Sequence, residues 1–281
     1  MSAAFVLSGG GSLGAVQAGM LYALAEHGIM PDLLVGTSAG AVNAAYFAGR
    51  PDLAGALHLA SVWRELRRSD IFPFQPATAL AALTGHRAHL VDNTGLRRLL
   101  ERHLAYSDLC QAVCPVRVVA TDVRSGREAV LGTGPAVEAV LASSAVPGVL
   151  PAVPWQGQEL LDGAVANNTP VSVAVQEGAT TVYVLHAGYA CALRSSPSSA
   201  LGRALQALSV IQQQRLVTGL AALHGAARLL VVPPLCPLAV SPADFGHACE
   251  LIDRSQESTS RWLAEGTPPV AFDLLRLHTH A

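Results

Sequence analysis

A serine hydroxyl becomes a nucleophile only where its surroundings expose it and a neighbouring group can take its proton. Ser38 stands in Gly36-Thr37-Ser38-Ala39-Gly40, which follows the apolar run Leu33 to Val35 and precedes helix-forming residues. That order fits G-x-S-x-G at a sharp strand-to-helix turn, where Gly or Ala on both sides relieves the crowding around a strained serine. A capping serine in an ordinary tight connection would show the same pentapeptide. Ser8-Gly9-Gly10-Gly11-Ser12 is the second chemical stretch, set between the apolar run Ala3 to Leu7 and a helical pattern from Leu13 to His27. Successive glycines at a helix N-terminus let backbone N–H groups converge on a developing negative oxygen. The same residues satisfy G-x-G-x-x-G, as Gly9, Gly11 and Gly14, the fingerprint of a dinucleotide site. Such a site expects a carboxylate at the end of the second strand, and this chain has Gly36-Thr37-Ser38 there.

Two groups could serve as the base. His186 follows a predicted strand, Thr180 to Leu185, and would give a Ser-His-Asp esterase of the α/β-hydrolase type. Asp162 ends the predicted strand Gln158 to Leu161 and is followed by Gly163-Ala164, which leave room around a carboxylate. A carboxylate in a dry pocket has its pKa raised towards the working range, and a Ser/Asp dyad needs no imidazole. A turn aspartate bonded to its own backbone is the structural alternative.

The elements around these residues alternate. Helices are predicted over Ala41 to Phe47, Pro51 to Arg68, Thr94 to Leu104, Pro135 to Ser143, Val171 to Gln176, Ser199 to Leu223 and Pro242 to Ala264. Strands are predicted over Val116 to Thr121, Glu128 to Leu131 and Arg228 to Val232, besides those named above. Strand–helix alternation implies a three-layer α/β/α fold with a mostly parallel central sheet covered on both faces. No linker divides the chain, so one domain is expected over residues 1–281, with the chemical motifs in 5–188 and a C-terminal strand and helices in 199–281. Residues 69–91, with Phe72-Pro73-Phe74-Gln75-Pro76 and His86-Arg87-Ala88-His89, read as a lid or mouth segment whose aromatics and leucines could meet lipid.

Composition narrows the class. Hydrophobic residues make up 51% of the chain and charged residues 14%, and all 18 basic residues are arginine. A net charge of −2 argues against a nucleic-acid partner. The cysteines, Cys110, Cys114, Cys191, Cys236 and Cys249, are odd in number and irregular in spacing. They read as buried free thiols in a reducing compartment, not as a zinc site. No charge occurs in the first 25 residues, but glycines interrupt them and a basic leader is missing. A cytoplasmic protein is expected, free or held peripherally at a membrane.

Taken together, Gly9-Gly10-Gly11-Ser12-Leu13-Gly14, Gly36-Thr37-Ser38-Ala39-Gly40 and Asp162-Gly163-Ala164, in that order, resemble the patatin-like phospholipase family of bacterial type. Ala142-Ser143-Ser144-Ala145-Val146-Pro147-Gly148 and Asn167-Asn168-Thr169-Pro170 are similar to its members as well. The resemblance implies Ser38 as nucleophile, Asp162 as base, an oxyanion hole from Gly9, Gly10, Gly11 and Ser12, and motif glycines at Gly14, Gly36, Gly40 and Gly163. It implies hydrolysis of lipid acyl esters with no metal or cofactor, and a fold related in plan to α/β-hydrolases. Leu13 departs from the pattern, since many members carry Arg or Lys there.

Overall fold

The computed structural model describes residues 2–73, 88–188, 200–238 and 240–268. Alternating side chains of the first strand explain the layering. In β1 (Ala3–Leu7), Phe5 and Leu7 point into one core, and Ala4 and Val6 into another. A strand with both faces buried in this way belongs at the centre of a covered sheet. It is flanked in parallel by β2 (Leu33–Thr37) and by β7 (Thr181–Leu185). The strand order is β5-β6-β3-β2-β1-β7-β8, with β3 at Val116–Asp122 and β8 at Arg228–Val231. Pairs β2–β3 and β7–β8 are also parallel. One end of the sheet is antiparallel, where β4 (Glu128–Leu131) and β6 (Gln158–Asp162) pair with β3, and β5 (Val153–Trp155) pairs with β6.

One face of the sheet carries α1 (Gly14–Glu26), α2 (Ala39–Gly49), α3 (Leu53–Glu65), a short α4 (Arg68–Ile71), α5 (Thr94–His103) and α6 (Ala136–Ser143). The other is covered by α8 (Val171–Gln176) and α9 (Ala200–Ala222), whose Leu216 and Leu220 join Val173 and Val182 in the second core. A single turn, α7 (Ala164–Asn167), links β6 to α8. Helix α1 is buried nearly all round because α10 (Ala248–Ala264) packs over the side turned away from the sheet. Gly19 permits the approach, since a Cβ there would stand 2.3 Å from the carbonyl oxygen of Ile252.

Several expectations change. The helix expected over Pro51 to Arg68 is broken at Leu66-Arg67, where the Arg67 N–H donates to Asp70 Oδ2 at 2.8 Å and caps a new turn. The final helix starts at Ala248 instead of Pro242, and residues 241–247 form a loop. Cys110 and Cys249 are exposed; of the described cysteines only Cys114 is buried, its thiol pushed up to about 11 by that burial. Of the expected lid, residues 74–87 lie outside the described residues, as does Cys191.

Candidate active site

Strand β3 sets the central distance. Its register places Thr37 beside Val119, and Asp162 beside Ala120, the next residue along. Ser38 follows Thr37, so the serine and the carboxylate meet although 124 residues separate them. The Ser38 hydroxyl donates to Asp162 Oδ2 at 2.7 Å. Asp162 Oδ1 accepts from the Ala164 N–H at 2.8 Å, and the Asp162 carbonyl accepts from the Thr121 hydroxyl at 2.9 Å. Both side chains are nearly enclosed, Asp162 at 3% and Ser38 at 8% exposure. Burial pushes the Asp162 carboxyl up to about 6, against the bonds from Ala164 and Ser38, which favour the charged form. The result is a carboxylate that can hold or release a proton near neutrality and already receives the serine's hydrogen bond.

Ser38 has φ 54° and ψ −124°, a conformation that residues with a Cβ seldom adopt. It persists because the surroundings leave no alternative. A Cβ at Gly36 would stand 2.4 Å from the carbonyl oxygen of Gly40, and one at Gly40 would stand 2.3 Å from that of Leu7. Ser143 holds the turn from below: its Oγ accepts from the Ser38 N–H at 2.8 Å and donates to the Val119 carbonyl at 2.5 Å. Gly163 lets the β6 end close on β3, since a Cβ there would lie 2.1 Å from the Val119 carbonyl oxygen. Gly14 similarly admits the Trp63 ring, 2.6 Å from where a Cβ would be.

The glycine loop joins β1 to α1 through a 3-10 turn at Gly11–Leu13. Its four candidate donors are not equivalent. The Gly9 N–H donates to the Asn168 carbonyl at 3.1 Å, and the Ser12 N–H to the Pro242 carbonyl at 2.8 Å. Gly10 and Gly11 keep N–H groups without a partner among the described residues. The loop is pinned elsewhere too. Gln17 Nε2 donates to the carbonyls of Ser8 (2.8 Å) and Leu185 (3.0 Å), Asn43 Nδ2 to Gly14 O and Gln17 Oε1 (both 2.9 Å), and Trp63 Nε1 to Asn43 Oδ1 (2.7 Å). A fully satisfied buried chain of this kind is rigid. From sequence Ser143 figured only inside the stretch Ala142–Gly148, with no role, and the chain of Gln17, Asn43 and Trp63 not at all; its available signal was a lone polar residue within an apolar helix, Gln17 in α1 and Asn43 in α2. Leu13, at the position where a cation is common, is 8% exposed and packs into the larger core.

His186 directly follows β7, and β1 separates β7 from β2. Two interstrand spacings put its backbone roughly 10 Å from the strand that carries Ser38. Its Nδ1 accepts from the Gly188 N–H at 3.1 Å, and burial pushes its pKa down to about 4. It does not line the cavity beside Ser38.

That cavity occupies about 790 Å³, including its opening. From Ser38 and Gly11 it follows the face of α2 through Val42 to Tyr46, walled by Leu59, Trp63, Leu96, Leu100 and Phe245. The eight residues from Ser38 to Tyr46 rise about 12 Å along a helix. At the Tyr46 end, the Tyr46 hydroxyl is hydrogen-bonded to His58 Nδ1, and the His103 ring lies 6.4 Å from that of Tyr46. Burial, with His58 and Arg102 nearby, holds His103 below the usual histidine range. No arginine is among the described residues that line it. No group of three or more metal-ligating side chains occurs among the described residues. Within them, no helix is long and apolar enough to cross a membrane.

Comparison with known proteins identifies the family of the chain. Residues 5–175 match the family described as Patatin-like phospholipase. Patatin-like phospholipase domain-containing protein 7 of Rattus norvegicus is 30% identical over 187 residues, covering 66% of this chain and 13% of that protein. Lysophospholipase NTE1 of Mycosarcoma maydis is 29% identical over 198 residues, covering 67% of this chain and 10% of the relative. The chain therefore spans only a small part of the length of these relatives. Among solved structures, human GIVD cytosolic phospholipase A2, in complex with methyl gamma-linolenyl fluorophosphonate, is similar at a TM-score of 0.47 and 14% identity, over 98% of this chain and 59% of that one. With the family matched across more than half its residues, and the motif serine and aspartate joined at the strand ends, the chain belongs to the patatin-like phospholipases.

Proposed function

We propose that the protein is a serine hydrolase that cleaves lipid acyl esters through a Ser38/Asp162 dyad. The observation that carries the reading is the 2.7 Å bond from the Ser38 hydroxyl to a buried carboxylate, at the end of an apolar cavity long enough for an acyl chain. In acylation, Ser38 Oγ bonds to the ester carbonyl carbon as its proton passes to Asp162 Oδ2. The N–H groups of Gly10 and Gly11, with the positive end of α2, stabilise the oxyanion. Collapse breaks the bond to the alkoxy oxygen, which leaves with the proton from Asp162. Of the four loop residues expected to form the hole, Gly9 and Ser12 serve as its supports, because their N–H groups are already committed. The family name and the lysophospholipase among the relatives favour fatty acyl esters, and a lining that is apolar and without arginine among the described residues favours recognition through the acyl chain over capture of an anionic head group. Against a dinucleotide site, a Cβ on Gly11 would stand 2.4 Å from the Pro242 carbonyl oxygen, which sets a partial negative charge where a pyrophosphate would have to approach.

The test is covalent labelling with a fluorophosphonate, followed by intact mass. Wild type and His186→Ala should gain one label, and Ser38→Ala and Asp162→Asn none within the same time. A folded wild-type protein that takes no label would sink the reading, and loss of labelling in His186→Ala alone would shift it to a histidine base.

A further inference from the structure

Neighbouring serines at the end of α6 have opposite fates. The Ser143 hydroxyl is fully used between the Ser38 N–H and the Val119 carbonyl. The Ser144 side chain lines the cavity beside Ser38, is 7% exposed, and its Oγ has no hydrogen-bond partner among the described residues. An enclosed hydroxyl without a partner is costly, and a group kept in that state needs a reason. A cap for the helix carbonyls is not the reason, because the Ser144 backbone N–H already donates to Val140 and Leu141.

Its place in the chain indicates what it could meet. Residues 143–145 run past both catalytic groups: Ser143 holds the Ser38 N–H, and the Ala145 carbonyl accepts from the Asp162 N–H at 2.9 Å. The backbone at Ser144 thus runs beside Asp162, between Ser143 and Ala145, while the free N–H groups of Gly10 and Gly11 come from the loop after β1. The carbonyl oxygen of a substrate goes to the loop. The group that must come to the Asp162 side is the attacking water of the second half-reaction. Once Ser38 Oγ is esterified, Asp162 Oδ2 loses its hydrogen bond and can accept one from that water. One contact does not orient a water molecule, and most of the surrounding wall is apolar.

We propose that Ser144 is the positioning residue for the deacylating water. This rests on the Ser38/Asp162 reading. The water donates one O–H to Asp162 Oδ2 and the other to Ser144 Oγ, which turns its lone pair to the acyl carbon. The new C–O bond forms as the first proton passes to Asp162. Collapse of the tetrahedral intermediate breaks the bond from carbon to Ser38 Oγ, which recovers the proton from Asp162, and the fatty acid leaves.

The experiment compares wild type with Ser144→Ala, Ser144→Val and Ser144→Thr in pre-steady-state hydrolysis of a p-nitrophenyl acyl ester, with acyl-enzyme counted by intact mass. Deacylation should slow about tenfold or more in Ala and Val. The acylation burst and the rate of fluorophosphonate labelling should stay near wild type, kcat and KM should fall together, and Thr, which keeps the hydroxyl, should restore turnover. Wild-type deacylation in Ala and Val would overturn the proposal while leaving the dyad intact. So would an equal loss in acylation and labelling, which would assign Ser144 to support of the Ser38 turn. Failure of wild type to label at all would instead remove the parent reading.

Discussion

The sheet presents two enclosed titratable side chains, Asp162 at the end of an antiparallel strand and His186 at the end of a parallel one. Both are at most 5% exposed, and in both burial is the leading cause of the shift, pushing the carboxyl up to about 6 and the imidazole down to about 4. In each case loss of water disfavours the charged form. Only the geometry differs. Asp162 comes down β3 to the level of Thr37 and receives the Ser38 hydroxyl, whereas His186 stays two strands away and bonds Gly188. A perturbed pKa therefore marks burial in both places, and only at Asp162 does it come with a hydrogen bond from Ser38. The antiparallel strand makes the difference, because its pairing with β3 brings the Asp162 carboxylate to the Ser38 hydroxyl.

The sharpest way to break this comparison is to exchange the losses. Asp162→Asn should lower kcat/KM for acyl esters by about 10² to 10⁴, the scale of a lost general base. His186→Gln should stay within about threefold, and the reverse order in steady-state assays would overturn the assignment. Next in size is an effect at the histidine end that acts by packing alone. The Ala187 Cβ lies 2.6 Å from where a Cβ on Gly10 would be, so Ala187→Val should press on the glycine loop and cost about 10²-fold in kcat. A near-wild-type kcat in that variant would mean that the loop tolerates displacement. Smaller still is the pH response. A base with a pKa of about 6 works only when ionised, so kcat/KM should be level above neutrality and fall as the pH drops through about 6. A limb near 4 would say that the carboxylate is better solvated than its burial implies. The smallest effect belongs to His186 and concerns stability. Its pKa is lower folded than unfolded, so the unfolded chain takes up the proton first, and stability falls as pH drops from about 6.5 towards about 4. Denaturant midpoints of His186→Gln should lose less than those of wild type over that window.

Much of this was legible in the chain before any coordinates. Gly36-Thr37-Ser38-Ala39-Gly40 announces its turn because only small residues fit where the backbones of Gly36, Gly40 and Leu7 meet. β1 and β2 declare themselves as short apolar runs buried on both faces, and β7 as a run with one face buried and the other partly so. Strand β5 was not legible: it has three residues with Pro154 in the middle, a proline tolerated because the strand is at the sheet edge. The start of the last helix, at Ala248, is hidden for a related reason. Ser241-Pro242 and Phe245-Gly246 hold a loop whose purpose, to accept the Ser12 N–H and hydroxyl, lies more than 200 residues away. The supports of the site, Ser143, Gln17, Asn43 and Trp63, are defined by what they touch across the fold, and sequence spacing carries no record of that.

The central position of β1 has a further bearing on how the molecule is made. Ala3 pairs with Thr181, and Leu7 with Leu185, so the first strand of the chain completes its second ladder only when residues 181–185 have arrived. Until then the growing polypeptide holds β1 against β2 with its other margin open, a row of unsatisfied amides and carbonyls of the kind that recruits foreign strands. An apolar strand is thus left half-paired until residues 181–185 are made. Its assembly should be slow and dependent on dilution, and a fragment ending at residue 175 should aggregate in place of folding.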